Sequence, residues 1–406
     1  MSAVAVTGMG VVAPNGLGTE AYWKATLAAV SGIGRITRFD PERYPATLAG
    51  EVDLDPTDRL PGRLIPQTDH STRLSLLAAE EAIRDAGIDA GELPDDQVGV
   101  VTASSAGGFE FGHRELDKLW RKGPEYVSAY QSFAWFYAVN TGQISIRHGL
   151  RGPSGVLVAD QAGGLDAIAQ ARRLVRRGVS AVLTGAVDGS LCPWGWIAQS
   201  SGGRLSGAAD PALAYRPFDA EADGYVPGEG GAILVLEEAD GARARGAERV
   251  RGYVLGHAAT FDRRPDSAAP DTGRGLRRAV ELALDDSGLR PDDIDVVFAD
   301  AAGTPALDRA EAAALTAVFG DRPVPVSVPK TMTGRMCAGA GPLDVVTALL
   351  AIESGQIPPA VHTSPAAHYG LNLVVGRPLT LAARTALIVA RGFHGFNSAM
   401  VVGAAD

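Results

Sequence analysis

Cysteine is scarce: Cys192 and Cys337 are the only two in 406 residues. Two cysteines so far apart build no disulfide framework, and they lack the paired spacing of a zinc site. The seven histidines show no metal spacing either, so no metal is expected. A reducing compartment, the cytoplasm, fits this usage best. Aromatic residues make up 6% of the chain and charged residues 21%. Acidic side chains outnumber basic ones, 47 to 37, for a formal net charge of -10. That balance argues against nucleic acid or an anionic membrane as the main partner. No apolar run reaches the roughly 18 residues that span a bilayer, and the start lacks the basic segment and cleavage pattern of a signal peptide.

What is abundant is apolar and small. Hydrophobic residues reach 46%, and 50 glycines imply many tight turns and close backbone approaches. The length exceeds a usual single core, so two related cores or one large α/β unit is the starting expectation. Val4 to Val12 reads as a buried strand stopped by Pro14, Asn15 and Gly16. Helix-period segments then alternate with short Val/Ile/Leu runs: Ser71 to Ala86 as helix, Val98 to Thr102 as strand, Leu165 to Arg177 as helix, Ala181 to Thr184 as strand. The alternation predicts an α/β fold with buried, mostly parallel strands. A polar stretch from Asp262 to Thr272 predicts a long loop, and a boundary is expected slightly before it, between Ala239 and Arg249. The chain is thereby divided into halves 1–245 and 246–406.

An internal echo suggests duplication. Gly163-Gly164-Leu165-Asp166 opens one helix and Gly341-Pro342-Leu343-Asp344 opens another, each after a Val-rich strand and a turn. The early pair Gly8 and Gly10 invites a dinucleotide reading, but the third glycine of that fingerprint is missing and Pro14 blocks an immediate helix.

Four blocks carry a specific resemblance. They are Val4 to Val12, Arg216 to Asp219 with Gly228 to Gly230, Lys330 to Gly341, and Gly392 to Ser398. In order and across the chain they resemble β-ketoacyl synthases. Phe133 to His148 and Asp160 to Asp166 are similar, more closely, to the chain length factors of type II aromatic polyketide synthases. The resemblance implies a thiolase-like fold, a duplicated αβαβα layering. It also implies a polyketide synthase heterodimer with a Cys-bearing ketosynthase alpha subunit, served by an acyl carrier protein. No cofactor is expected to bind directly, the phosphopantetheine being carried by the acyl carrier protein.

A condensing member of that family needs a Cys at a sharp strand-to-helix turn, where the helix N-terminus lowers its pKa. Gln161 occupies that turn. A primary amide neither ionises to a nucleophile nor carries a thioester. The family's two histidines fall on Asp300 and Arg335, both replaced, while Lys330 and Glu311 are retained and are expected to form a structural ion pair. No catalytic residue is therefore expected in this chain, and Cys192 and Cys337 are read as inert thiols. A rival reading is a Gln-type decarboxylase that makes an acetyl starter from malonyl carrier protein; a third is a binding or scaffold protein.

Between Phe109 and Trp120, the apolar positions Phe109, Leu116, Leu119 and Trp120 fit one helical stripe that includes Gly112. A plain core stripe is the simple account, but Gly inside a helix costs about 1 kcal/mol relative to Ala. In the resembled family this helix lines the tunnel into which the poly-β-keto chain grows. Phe109, Gly112, Leu116, Phe133 and Trp194 are accordingly the expected tunnel wall, with the small Gly112 suggesting a product longer than an octaketide. Arg172, Arg173, Arg176 and Arg177 are expected on a solvated helix face, with carrier-protein contact as the alternative.

Overall fold

The structure is a computed structural model that describes residues 3–54, 59–88, 94–262 and 272–405. Most of the polar segment between Asp262 and Thr272 lies outside the described residues. Ten strands carry the framework: β1 (Val4–Ala13), β2 (Val98–Ala103), β3 (Ser154–Leu157), β4 (Ala181–Asp188), β5 (Gly230–Glu238), β6 (Gly252–Phe261), β7 (Val296–Phe298), β8 (Pro325–Ser327), β9 (Thr385–Arg391) and β10 (Phe396–Gly403). The helices used below are α1 (His70–Ala86), α2 (Phe109–Lys122), α3 (Val139–His148), α4 (Gly163–Val175), α5 (Pro193–Ser200), α6 (Arg274–Ser287), α7 (Pro305–Phe319) and α8 (Ala340–Ser354).

From the centre of the sheet outward, one side runs β1, β5, β4, β2, β3 and the other β6, β10, β9, β7, β8. Adding five to each number of the first series gives the second. The two series meet where β1 and β6 pair antiparallel, at Ala5 with Tyr253 and Val6 with Gly252. The duplication suggested by the glycine echo is thus a repeat of a whole five-strand unit.

The expectation of mostly parallel strands needs correction. Only the outer pairs of each unit are parallel, β4 with β2 and β2 with β3, then β9 with β7 and β7 with β8. The central strands β4, β5, β1, β6, β10 and β9 are antiparallel to their neighbours along that path. Helices cover both faces, so these strands are continuously apolar, and such a run looks the same in either direction. All ten residues of β1 are buried.

Among the described residues the three largest hydrophobic cores hold five layers together. One outer core joins α1 to the first unit through Leu74, Leu76 and Ala82. The other joins α6 and α7 to the second unit through Val280, Leu284 and Leu315. Between the units lies the largest core, where Leu165 and Ile168 of α4 meet Val345 and Leu349 of α8. The echo glycines make that meeting possible. A Cβ on Gly164 would stand 2.2 Å from the Ala338 carbonyl oxygen and 2.3 Å from Pro342 Cδ. Residues Cys337–Ser354 are long and apolar enough by length and composition to cross a membrane, but 78% of that window is buried between the units.

Gly8 and Gly10 also find their reason here. Cβ atoms on them would stand 2.1 and 1.9 Å from the carbonyl oxygens of Ala82 and Ala78. They let α1 lie directly on β1, a packing requirement rather than a phosphate cradle.

Candidate functional site

In each unit the chain beyond the third strand reaches a tight turn that opens a central helix. After β3 the chain passes through Asp160 at φ 52° and a single 3₁₀ turn, Asp160–Ala162, into α4. After β8 the corresponding turn is Cys337–Gly339, with Cys337 at φ 49°, leading into α8. Non-glycine residues in the left-handed region carry strain and cluster at functional turns. Gln161 therefore sits at the elbow expected from the sequence, only 6% exposed. Asp160 ties the elbow to the C-terminal turn by accepting the Phe393 N–H at 2.8 Å. Burial pushes the Asp160 carboxyl up, against the pull of that N–H and of Arg335.

A cavity of about 390 Å³ opens over the elbow, lined among others by Gln161, Cys337, Asp300, Arg335, Tyr225 and Phe393. The structure thus brings together Gln161, Asp300 and Arg335, the three positions that the sequence singled out. Asp300 and Arg335 also face each other. The Arg335 guanidinium donates to Asp300 Oδ1 at 3.1 Å and to Oδ2 at 3.0 and 3.1 Å, and to the Asp300 carbonyl oxygen at 2.9 Å. Burial opposes the Arg335 charge, but Asp300 outweighs it and holds the guanidinium protonated. The Asp300 carboxylate also accepts the Arg391 N–H at 3.0 Å.

The expected Lys330–Glu311 ion pair is not formed. Lys330 Nζ donates to Asp344 Oδ2 at 2.6 Å and to the Ala299 carbonyl oxygen. Glu311 instead accepts the N–H groups of Asp300 at 2.7 Å and Ala301 at 2.8 Å, holding the loop after β7. Burial, and then the charge of Asp300, push Glu311 upward. A buried Lys needs an acid, and Asp344 of the second echo motif supplies it from one turn inside α8. That partner was missed because it lies outside the sequence block that contains Lys330.

Neither thiol is poised to react. Burial pushes Cys192 up to about 11; its sulfur caps α5 by accepting the Gly195 N–H. Cys337 lines the cavity, but burial and the nearby charges of Asp188 and Asp160 raise its pKa well above the ordinary thiol value. The nucleophile is the thiolate, so neither is activated. Among the described residues no cluster of metal-binding side chains is present.

The tunnel candidates divide. Phe109 stacks on Trp194 with ring centroids 4.5 Å apart. Gly112 is buried beneath the same indole: a Cβ there would lie 3.1 Å from Trp194 Cζ3, 3.7 Å from Trp135 Cβ and 3.8 Å from Gln131 Nε2. Leu116 is half-buried, and Phe133 is exposed, edge-on to Tyr130 at 5.7 Å. The core-stripe reading of α2 is overturned. The residues it buries are Phe111, Gly112 and Glu115, whereas Phe109, Leu116 and Leu119 are half-buried and Trp120 is 80% exposed. That apolar stripe joins an exposed aromatic field that includes Tyr130, Phe133, Trp135, Phe136 and Tyr137.

Three buried carboxylates that the sequence reading did not single out hold this region. Asp69 caps α1 through the Ser71 N–H and also accepts the Phe111 N–H of α2 at 2.8 Å. Asp188, at the end of β4, accepts N–H groups from Ser105 at 2.6 Å and Ala338 at 3.4 Å, and burial pushes it up to about 6. Glu115 accepts the Ser128 N–H at 2.7 Å. Only Asp69, just ahead of a helical pattern, carried a local signal, as an N-cap. Of the arginines on α4, Arg172 is no surface residue: it is buried and pairs with Asp286 of α6 at 2.5 Å, linking the units.

This arrangement, a five-layer duplicated fold with a helix-opening elbow beside two converging positions, defines a condensing-enzyme architecture of the thiolase-like class. Residues 1–242 match the family model for the β-ketoacyl synthase N-terminal domain, and residues 251–364 that for the C-terminal domain. The chain belongs to the β-ketoacyl synthase family. It is 58% identical over 401 residues to the actinorhodin polyketide putative beta-ketoacyl synthase 2 of Streptomyces coelicolor, covering 98% of each chain. It is 59% identical over 402 residues to the tetracenomycin polyketide synthase ketoacyl synthase beta subunit of Streptomyces glaucescens, again covering 98% of each. Among solved structures, it superposes on the ishigamide ketosynthase/chain length factor with a TM-score of 0.92 at 28% identity over all of both chains. A type II polyketide synthase ketosynthase in complex with its acyl carrier protein matches at 0.90 and 26%, also over all of both chains.

Proposed function

We propose that this chain is the non-condensing subunit of a type II polyketide synthase ketosynthase heterodimer and that its α2 face sets the length of the poly-β-keto chain. The observation that carries the reading is the Asp300–Arg335 ion pair beside Gln161. Condensation requires a thiolate to hold the growing acyl chain, and neutral imidazoles to stabilise the enolate formed as malonyl loses carbon dioxide. Here the elbow offers an amide, and the two neighbouring positions neutralise each other.

Chemistry then falls to a Cys-bearing partner subunit. Its thioester carbonyl is attacked by the enolate carbon of a malonyl unit that has released carbon dioxide. The C–S bond to the partner breaks, and the chain, longer by one ketide, rests on the phosphopantetheine thiol of the acyl carrier protein. This chain contributes shape: the Phe109–Trp194 stack, Gly112, Leu116 and Phe133 form the wall that the growing chain meets. The exposed aromatic field between Tyr130 and Tyr137 suits a large permanent interface, since apolar area on that scale is costly to leave in water. Residues 1–245 and 246–406 serve as the two halves of the scaffold. The Gln-type decarboxylase reading is the weaker one, because no imidazole stands at Asp300 or Arg335 to stabilise an enolate.

Co-expression with a Cys-bearing type II ketosynthase and its acyl carrier protein tests the proposal. A stable heterodimer that makes polyketide, with acyl label only on the partner subunit, is the expected result. Acyl label on this chain, or full activity of the partner without it, would overturn it.

A further inference from the structure

The wall opposite Gly112 is not part of α2. Gln131 and Trp135, which come within 3.8 and 3.7 Å of a Cβ placed on Gly112, belong to the segment 128–137 that follows the helix. That segment is fastened to α2 at both ends. At one end the Gly108 N–H donates to the Trp135 carbonyl oxygen at 3.1 Å, and the chain approaches so closely that a Cβ on Gly107 would stand 2.2 Å from that oxygen. At the other end the fastening is a side chain: Glu115 Oε2 accepts the Ser128 N–H at 2.7 Å, while Lys118 Nζ donates to Oε1 at 2.6 Å.

Glu115 lies in the middle of α2, one turn beyond Gly112, and is only 4% exposed. Carboxylates are rarely buried without a reason. Burial works against its charge, but Lys118 and the Ser128 N–H outweigh it and hold the carboxyl below the usual range. The side chain turns inward to a backbone donor, whereas Asp117 two residues on is exposed and makes a surface pair with Arg121 at 2.6 Å.

We propose that Glu115 is a positioning residue for chain-length control: by clamping the Ser128 N–H it holds Gln131 and Trp135 against Gly112 and so fixes the width of the tunnel. The inference rests on the tunnel reading above. Without the clamp, the described backbone bond between segment 128–137 and the start of α2 is the one at Gly108, and the Ser128 end of the wall loses its single position.

Glu115→Ala, assembled with the partner ketosynthase and the acyl carrier protein, tests this by the masses of released polyketide and the total malonyl consumed. The expected result is loss of a single product length, with masses spread in acetate-sized steps and malonyl consumption unchanged. Glu115→Gln keeps an acceptor oxygen for Ser128 and restores the single length; Lys118→Ala, which leaves the Ser128 bond in place, retains it. If Glu115→Ala fails to assemble, Ser128→Pro removes the donor without touching the helix and is expected to spread the products in the same way. A single parental length from an assembled Glu115→Ala or Ser128→Pro complex overturns the proposal. If in addition Gly112→Thr with Leu116→Phe leaves the length unchanged, the tunnel reading falls too; if that double variant shifts it, only the role of Glu115 is lost.

Discussion

The Asp300 carboxylate and the Arg335 guanidinium stand 3.0 Å apart at their closest oxygen and nitrogen, joined in a bidentate ion pair with both side chains at most 6% exposed. They come from different parts of the second unit, the loop after β7 and the turn before α8, and meet only through the fold. The pair fills the floor of the cavity beside Gln161 with matched charge.

Breaking that pair from one side is costly. Asp300→Ala leaves a buried guanidinium without its counter-charge, a loss of about 3–5 kcal/mol in comparable buried pairs. Denaturant unfolding of the assembled complex is expected to show a drop of that order. Asp300→Asn, which keeps an acceptor, should lose less; equal stability of Asp300→Ala and the parent would show that the pair holds nothing together.

Gln161 is expected to be dispensable for condensation. With acetyl starter and malonyl carrier protein both supplied, Gln161→Ala should elongate chains at the parental rate in the heterodimer, because the proposed function puts the thioester on the partner. Radiolabelled malonyl incorporation measures this directly. Loss of elongation would assign chemistry to the elbow.

The buried carboxyls predict a pH dependence. Burial pushes Asp188 and Asp308 up to about 6 from an ordinary value of 3.8. A carboxyl whose folded pKa is raised is protonated more readily in the folded than in the unfolded chain. Its contribution is fully present below pH 3.8 and is lost as pH rises through about 6. His148, whose pKa burial lowers, works in the opposite direction below its ordinary 6.5. Comparison with Asp188→Asn isolates the carboxyl: an asparagine oxygen can still accept from Ser105, but it does not titrate. Between pH 5 and pH 7.5 the parent is expected to lose stability relative to Asp188→Asn by about 1–1.5 kcal/mol, the rest of the effect of a roughly two-unit shift falling between pH 3.8 and pH 5. Parallel melting curves across that range would contradict the assignment.

Much of this site was legible in the sequence because its signals are local. Gln161 follows a strand and opens a helix, and the resemblance to β-ketoacyl synthases implies that Asp300 and Arg335 stand where that family has its two histidines, so three dispersed residues could be placed together before any coordinates. What could not be read were relations across the fold. Lys330 was paired with the wrong acid because Asp344 faces it only once α8 packs between the units. The direction of the central strands was lost because strands covered on both faces carry no alternation. The 3.6-residue period of the stripe on α2 left a plain core as the alternative to a tunnel wall, because a period shows which residues share a face, not whether that face meets the same chain or another. Gly8 and Gly10 already failed the dinucleotide fingerprint in the sequence, but the reason for them, the carbonyl oxygens of Ala82 and Ala78, lies in a helix distant along the chain.

The central claim is that the face around Gly112 limits chain length, and product mass tests it most directly. Gly112→Thr with Leu116→Phe adds atoms to one face of α2. At Gly112 the first of them would lie 3.1 Å from Trp194 Cζ3. A close-packed interior absorbs such additions only with strain of order 1–3 kcal/mol. Trp194 is 36% exposed, so its indole has room to move toward the space the growing chain would occupy. Measured on the heterodimer with its carrier protein, the double variant is expected to assemble in normal yield and release polyketides of fewer ketide units. A normally assembled complex that releases the parental length would contradict the account.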